Sequence, residues 1–438
     1  MKGIFLNSAP GFTILFIGII CCNLSCKKDD APTTPPSITI QLPVENTVHN
    51  VFDAVPVQFL VQDNDRLTSV VVSLMDLNSQ PVLAGVDVTP SSNPATVTMS
   101  YYLNDIHIAS GYYFIKVSAS DGTTTNIAIR RIYVNEAPRM LRNAYYVTLP
   151  TPSTRNIFKI DSLQNPVLAG TYAGDHSQSC ISSWYQDLHT IGYMNGDLYA
   201  INLEDNVTNW SVNCLTSADP YFTDVHVNGK NSYLSFYDGR LKGYLVDGTI
   251  IMSASVQAGY YPRRIFKHDI YLAASIKEII SPARKLVLFN AATGAGYQET
   301  ALSQDVVEMY TKDNDNMFCF GNDAGQGKFE IYQLSSNAFW TPYTCPAGSI
   351  LSVAQVDANT YLIGHSNGTV YKYQYNINSL TTLIPGVTAS CLRFDDVNLH
   401  VYVAEGVTVK RYLYSTGTLI NTVNASGTVA DLELLFNK

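Results

Sequence analysis

The chain has 438 residues, enough for two or three domains, and only 14% of them are charged. Apolar residues reach 46% and tyrosine alone occurs 29 times, a composition that favours half-buried strands over surface helices. Lys and Arg number 27 against 36 Asp and Glu, a net charge of −9. This balance argues against nucleic acid and anionic membrane surfaces as partners, because few cations are there to neutralise phosphates.

The N-terminus has the pattern of a targeting segment. Lys2 precedes an apolar run, Gly11 to Cys22, that is too short for a stable anchor. Asn23-Leu24-Ser25-Cys26 resembles the lipobox of Bacteroidetes-type lipoproteins, which implies a signal peptide over 1–25 and lipid on Cys26. Lys27-Lys28-Asp29-Asp30 resembles the signal that sends such lipoproteins to the cell surface. We therefore expect an outer-membrane protein anchored through its lipid alone and facing the exterior; an ordinary secretory signal is the alternative.

A linker and a first domain come next. Residues 26–37 hold the predicted lipidated cysteine and a Pro/Thr-rich stretch, which should be extended and semi-rigid. Residues 38–136 then alternate apolar and polar side chains in short runs separated by Asn, Asp, Pro and Gly, a pattern that predicts a β-sandwich. The predicted strands are Ile38–Leu42, Val55–Gln62, Ser69–Met75, Ala95–Tyr101, Tyr112–Ser120 and Asn126–Val134.

The run from Ser110 to Gly122 resembles the closing strands of Ig-like, PKD-like and cadherin-like modules, which implies a spacer domain. Asp63-Asn64-Asp65 follows a predicted strand and could give carboxylates to Ca²⁺, as in cadherin-like loops. A plain Asx turn explains the same residues. Both interpretations stay open, and we expect no other cofactor or metal.

A sequence pattern recurs through the last three hundred residues: an aromatic or aliphatic residue is followed, usually five positions later, by Gly or Asn. The seven pairs are Ile160/Asn165, Ile201/Asn206, Tyr244/Gly248, Phe289/Gly294, Tyr332/Asn337, Tyr373/Asn378 and Tyr412/Gly417. Their spacing of 39 to 45 residues, with several short strands per repeat, is typical of propeller blades.

Residues 140–438 therefore predict a seven-bladed β-propeller. Three strands at its start (Asn143–Leu149, Asn156–Asp161 and Val167–Tyr172) have no inner strand before them, and the last one, Thr428–Phe436, has no partners after it. Together they make one closed blade, which leaves no bare edge. The region resembles the WD40, YVTN and quinoprotein-like propellers in spacing, but it lacks their diagnostic words, so we expect no quinone. The mature protein is thus predicted to be all-β.

Five cysteines follow Cys26 in the chain: Cys180, Cys214, Cys319, Cys345 and Cys391. Their odd number and the absence of CxxC spacing imply neither a disulfide framework nor a metal knuckle. We expect buried thiols, with a single Cys180–Cys214 bond as the alternative.

On such a propeller, the loops from outer to next inner strand and from second to third strand share the face that usually carries ligand contacts. Aromatic rings with a few acids and an Arg suit stacking on sugar rings and hydrogen bonds to hydroxyls. The candidate binding residues are Asp175, His176, Asp219, Tyr221, Tyr260, Tyr261, Arg263, Asp305, His365 and Glu405. The alternative is that these are ordinary rim residues.

The sequence therefore predicts a surface lipoprotein that binds a glycan or a surface protein without catalysis. No GxSxG word or defensible Ser/His/Asp set indicates an enzyme. Two alternatives remain: a propeller-type polysaccharide lyase or hydrolase, favoured by His or acids converging on the channel mouth, and a scaffold for a protein partner in an outer-membrane complex, favoured by an apolar patch.

Overall fold

The computed structural model describes residues 34–215 and 219–438, and the chain forms two compact units that meet at Ala137 and Pro138. Strands make up nearly all of the regular structure, beside a short 3₁₀ turn at Tyr375–Ile377, so the all-β prediction is confirmed. The predicted signal peptide, Cys26 and the charged residues after it lie outside the described part. Within the described part, no helix has the length and apolar character needed to cross a membrane.

The first unit contains two sheets around one hydrophobic core. Strand numbers follow the chain: β1 (Ser37–Leu42), β2 (Thr47–Asn50), β3 (Ala54–Gln62), β4 (Ser69–Met75), β5 (Val86–Val88), β6 (Ala95–Tyr102), β7 (Gly111–Ser120) and β8 (Thr125–Asn135). One sheet has the order β1-β3-β6 and the other β2-β8-β7-β4-β5. Alternate residues of β3 and β7, such as Phe59 and Val117, are buried in the shared core, as the period of two predicts. Strands β2 and β5 were not predicted, because they are short and mostly exposed.

The second unit consists of seven antiparallel sheets of four strands each. Its inner strands are β12 (Gln178–Ser182), β16 (Phe222–Asn228), β20 (Tyr260–His268), β24 (Asp305–Thr311), β28 (Ile350–Asp357), β32 (Cys391–Asp395) and β36 (Val429–Phe436). Its second strands are β9 (Leu141–Thr151), β13 (Asp187–Ile191), β17 (Asn231–Phe236), β21 (Tyr271–Glu278), β25 (Asn316–Asp323), β29 (Thr360–His365) and β33 (His400–Glu405).

The third strands are β10 (Thr154–Ile160), β14 (Leu198–Asn202), β18 (Arg240–Tyr244), β22 (Arg284–Asn290), β26 (Gln326–Gln333), β30 (Thr369–Gln374) and β34 (Thr408–Leu413). The outer strands are β11 (Pro166–Ala173), β15 (Thr208–Val212), β19 (Ile250–Ser255), β23 (Gly296–Ala301), β27 (Ala338–Thr344), β31 (Ser379–Pro385) and β35 (Leu419–Asn424). Blade 1 consists of β36 and β9–β11, and blades 2 to 7 follow in chain order.

The seven inner strands form a closed ring, since each contacts the inner strands of both neighbouring blades. The C-terminal strand β36 pairs antiparallel with β9, and Leu432 lies opposite Tyr146. The closure that the sequence predicts is therefore present, and it removes the bare strand edges that an open ring would leave. Separate apolar clusters fill the spaces between blades; one of them joins Tyr233 and Met252 of blade 3 to Ile265 and Leu272 of blade 4.

The repeated Gly or Asn ends each third strand in a turn with positive φ, a conformation that Gly and Asn adopt readily. The turn residues with positive φ are Gln164, Asn206, Gly248, Gly294, Asn337, Asn378 and Gly417. In blade 1 this position falls on Gln164, one residue before the predicted Asn165. At Gly417 a side chain is also excluded sterically, because a Cβ atom would overlap the carbonyl oxygen of Leu383 in the preceding blade.

Candidate functional site

The inner strands surround a central channel whose lining includes several charged side chains. Five of these strands carry a register shift near their start, and a polar residue follows it in each: Asp224, Arg264, Glu308, Ser352 and Asp431. A cavity of about 280 Å³ in the channel is lined by residues from all seven inner strands. Small polar cavities of this kind can hold water.

The charges in the channel neutralise one another in part. Arg264 lies 3.0 Å from Asp224, and Arg393 lies 2.5 Å from Glu433. Burial raises the pKa of Asp224 to about 6 although Arg264 opposes the shift, and burial also raises the pKa of Glu308 and Glu433. The carboxylate of Asp224 accepts a hydrogen bond of 2.7 Å from the backbone amide of Ile265, which joins blades 3 and 4. The ion pairs and the hydrogen bond in the channel therefore help to stabilise the ring of blades.

The two histidines predicted for the binding face lie in the interior. The side chain of His176 is 1% exposed, and its Nε2 atom lies 3.5 Å from Asp431 in the channel wall. His365 is fully buried in blade 6, where its ring contacts Tyr371 and its Nδ1 atom accepts a hydrogen bond from the Asn367 amide. The two imidazoles therefore do not converge on a common exposed site.

Most of the predicted acids are already engaged. Asp175 accepts hydrogen bonds from the backbone amides of Tyr193, Met194 and Asn195 and so shapes a loop. Asp305 receives two hydrogen bonds, of 2.8 and 2.7 Å, from Arg284, which holds the pKa of the carboxyl below its usual range.

Glu405 pairs with Lys410 at 2.5 Å and accepts a hydrogen bond from the Thr388 amide. Burial raises the pKa of Glu405, but these two contacts outweigh burial and lower it. Asp219 is exposed and also has contacts of its own.

Two of the predicted tyrosines are partly structural. Tyr221 is half-buried and its ring contacts Phe222 and Phe236 at centroid distances of 4.7 and 5.5 Å. Tyr260 is the first residue of β20 and packs on the apolar cluster between blades 3 and 4, with Lys285 above its ring. Tyr260 therefore contributes to the contact between the two blades.

Of the remaining predicted residues, Tyr261 belongs to a group of aromatic side chains that spans three blades, and Arg263 lies close to this group. The ring of Tyr261 contacts that of Tyr237 at a centroid distance of 4.6 Å. Tyr193 is 41% exposed and lies close enough to Tyr237, Tyr261 and Arg263 for their charges to affect its hydroxyl, whose pKa burial raises. We call Tyr193, Tyr221, Tyr237 and Tyr261 the tyrosine cluster.

Backbone contacts hold the loops of the tyrosine cluster in register. The amide of Tyr221 donates to the carbonyl of Tyr193 at 2.7 Å, and the amide of Tyr237 donates to the carbonyl of Tyr221 at 2.9 Å. Sequence reasoning missed Tyr193 and Tyr237. Both follow second strands, in loops that the sequence assigns to the binding face. A tyrosine next to a turn residue, as in Gly192-Tyr193 and Tyr237-Asp238-Gly239, could have identified them.

Exposed aliphatic side chains lie on the same face. Ile280, in the loop between β21 and β22, is 90% exposed, and its neighbour Ile279 donates a backbone hydrogen bond to the carbonyl of Gly259. Leu215, in the loop between β15 and β16, is 78% exposed. Contiguous exposed apolar patches are a feature of protein-binding surfaces, whereas single exposed apolar side chains are common on any protein.

The Asp63–Asp65 motif of the first unit forms an Asx turn, in which Asp63 accepts a hydrogen bond of 2.8 Å from the Asp65 amide. Over residues 34–215 and 219–438, no group of three or more His, Cys, Asp or Glu is placed to hold a metal ion. The five cysteines of the propeller are free thiols, so no bond joins Cys180 to Cys214.

No protein-family model and no curated protein matches the sequence. Among solved structures, the yeast Saccharomyces cerevisiae Sqt1 is similar at 14% identity and a TM-score of 0.46, over 66% of this chain and 88% of Sqt1. The Pan2 WD40 domain of Neurospora crassa is similar at 9% identity and a TM-score of 0.46, over 57% of this chain and 78% of that domain. BamB from Moraxella catarrhalis is similar at 10% identity and a TM-score of 0.41, over 67% of this chain and 93% of BamB. Similarities at this level of identity and TM-score do not indicate a function.

Proposed function

We propose that the chain is a lipid-anchored protein of the outer-membrane surface whose propeller binds a glycan without catalysis. The tyrosine cluster is the observation that carries the proposal. It places Tyr193, Tyr237 and Tyr261 beside the exposed Arg263, so that aromatic rings, hydroxyl groups and a guanidinium occur together. Aromatic rings stack on the apolar faces of sugars, while hydroxyl groups and charged side chains bind sugar hydroxyls.

Several features support binding as opposed to a lyase or hydrolase activity at this cluster. His176 and His365 lie inside the fold, and Asp175 and Asp305 are held by backbone amides or by Arg284. A general acid or base has to reach the proton that it transfers. The groups that the tyrosine cluster offers to a ligand include tyrosine hydroxyls and the exposed guanidinium of Arg263.

The N-terminal sequence supports the proposed location at the cell surface. The Cys26 lipobox resemblance and the Lys27–Asp30 motif imply a lipid anchor at the cell surface. We propose that the first unit, with its two sheets around one core, acts as an Ig-like spacer between this anchor and the propeller. The Pro/Thr-rich residues before it suit an extended stalk.

The test uses two variants with opposite expected effects. Tyr193→Ala should weaken binding about fivefold or more, because a stacked ring contributes roughly 0.5–1.5 kcal/mol beyond the area that it buries. Its melting temperature should change little, since 41% of the residue is exposed. Tyr260→Ala should lower the melting temperature by several degrees, because the ring packs between blades. Binding is measured on a glycan array alongside melting; unchanged binding by Tyr193→Ala would refute the glycan site.

A protein partner is the second candidate, because Leu215, Ile279 and Ile280 are exposed on the same face. Changing Ile279 and Ile280 together to Ser tests it. Loss of a co-purifying outer-membrane protein, with glycan binding retained, would favour the scaffold function. Retention of every partner would leave the glycan as the ligand of this face.

A further inference from the structure

Arg263 differs from the other cations around the tyrosine cluster, because its guanidinium has no hydrogen bond or ion pair to any of the described residues. Arg240 pairs with Asp238 at 2.7 Å, Arg284 pairs with Asp305 at 2.7 Å, and Lys277 lies 3.9 Å from Asp305. Arg263 is exposed and interacts with Asp305 and Tyr193 only through longer-range electrostatics.

Three carboxylates on this face have closer partners than Arg263. Asp175 is occupied by three backbone amides, Asp238 by Arg240, and Asp305 by Arg284. A guanidinium presents a planar fork of donors that matches a carboxylate or a sulfate, and the fork at Arg263 is left open to an incoming group.

The charge of the two blades that carry Tyr237 and Tyr261 also differs from that of the whole chain. Residues 222–301, which form blades 3 and 4, contain nine Lys and Arg against six Asp and Glu, a surplus of three positive charges. The complete chain has a surplus of nine negative charges. The net charge, from which the sequence argues against anionic partners, is thus an average over a molecule in which blades 3 and 4 are net basic. Such a local field attracts anions even when the total charge is negative.

We infer that the ligand of the tyrosine cluster is an acidic polysaccharide, whose carboxylate or sulfate groups accept hydrogen bonds from Arg263 while its sugar rings stack on the tyrosines. This inference rests on the proposed glycan binding and adds the class of glycan. Tyrosine supplies affinity for the sugar ring, and Arg263 supplies discrimination between acidic and neutral chains.

The experiment uses pairs of polymers that share a backbone and differ in charge. Polygalacturonate is compared with its methyl ester, and dextran sulfate with dextran, by binding of the full-length protein to each immobilised polymer. We expect at least one acidic polymer to bind and its neutral counterpart to bind about tenfold more weakly or not at all. Binding should fall as salt is raised from ~0.05 M to ~0.5 M, because salt screens exposed charges. The two acidic polymers distinguish a carboxylate from a sulfate.

Arg263→Gln should weaken binding of the acidic polymer about tenfold, which removes most of its preference over the neutral one. Arg263→Lys keeps the positive charge but lacks the planar guanidinium, so its affinity for the acidic polymer should lie between those of the wild type and Arg263→Gln. Arg66→Gln is the matched control, because Arg66 is likewise exposed and without a partner among the described residues but lies in the first unit. It should bind as the wild type does.

The outcomes separate the two proposals. If Tyr193→Ala weakens binding while Arg263→Gln does not, or if neutral and acidic polymers bind equally, the acidic class is wrong and the glycan site stands. If neither acidic polymer binds, the inference is also overturned. If polymers bind and neither variant has any effect, both the inference and the site at the tyrosine cluster fail.

Discussion

The carboxylate of Asp431 accepts a hydrogen bond of 2.6 Å from the backbone amide of Ser179, which lies 252 residues earlier in the chain. Asp431 belongs to the last inner strand and Ser179 to the inner strand of the next blade around the ring. Burial raises the pKa of Asp431, but His176 and Arg393 outweigh burial and lower it, so the carboxylate is charged where it joins the two blades. Closure of the ring therefore has both a strand-pairing part and an electrostatic part.

Removal of the closing strand should unfold the propeller as a whole. A chain truncated after Asn424 lacks β36, which pairs with β9 and supplies Leu432 and Phe436 to the apolar cluster between blades 7 and 1. We expect loss of the cooperative unfolding transition in urea. A chain that lacks only Lys438 is the control and should unfold as the wild type does. A truncated chain with a normal transition would show that the ring does not depend on this strand.

The channel carboxyl of Asp224 should make stability depend on pH. Its pKa is raised to about 6 by burial, so the folded protein holds this proton more tightly than the unfolded chain. The resulting stability is present below about pH 4 and is lost as the pH rises through 6. Between about pH 4.5 and 7.5 the wild type should thus lose about 2 kcal/mol relative to Asp224→Asn, which cannot ionise.

Urea unfolding of both proteins at the two pH values measures this difference, and the comparison cancels the opposing effect of buried histidines such as His189, whose pKa burial lowers to about 4. Parallel pH dependence in wild type and variant would mean that Asp224 is charged in the folded protein throughout the range.

Two glycines of blade 7 should respond differently to the same substitution. Gly406 and Gly417 both have positive φ, of 56° and 68°, so alanine costs about 1 kcal/mol at either position. A Cβ atom at Gly406 meets open space, whereas at Gly417 it would overlap the Leu383 carbonyl. Gly417→Ala should therefore lose clearly more stability than Gly406→Ala in urea unfolding. Equal losses would indicate that the turn moves away from the neighbouring blade at little cost.

The proposed lipid anchor and surface location can be tested independently of the fold. Cys26→Ala should release the protein from membranes into the soluble fraction, because the lipid is its only predicted anchor. Replacing Lys27–Asp30 by neutral residues should keep the lipid but remove surface exposure, measured by protease digestion of whole cells. Continued sedimentation of the Cys26 variant would contradict the lipobox, and unchanged digestion of the second variant would contradict the export role of the charged motif.

The blades could be predicted from the sequence because each is a local unit whose third strand ends in a turn with positive φ, which favours Gly or Asn, and such turns recur at a visible period. The closing blade followed from counting strands at the two ends. Six strands of the first unit were also predicted close to their observed bounds, whereas β2 and β5 are too short and exposed to show a period of two.

The state of the rim residues could not be predicted in the same way, because it depends on neighbours that are distant in sequence. Asp305 looks free in the sequence but is held by Arg284, and His176 looks exposed but lies against Asp431. Tyr193 and Tyr237 come together with Tyr261 only when three blades are adjacent.

The position of β36 also has a consequence for folding. Strands β9 to β11 come first among the propeller strands, and the strand that covers the edge of β9 comes last. Until β36 pairs with β9, the chain carries an unpaired edge that can add a strand from another molecule. Pairing between the two ends is also the contact of greatest sequence separation, which makes it a slow step in folding. The pairing of β36 with β9 therefore competes with pairing to another molecule, and a chain in which β36 docks slowly is the more prone to aggregate.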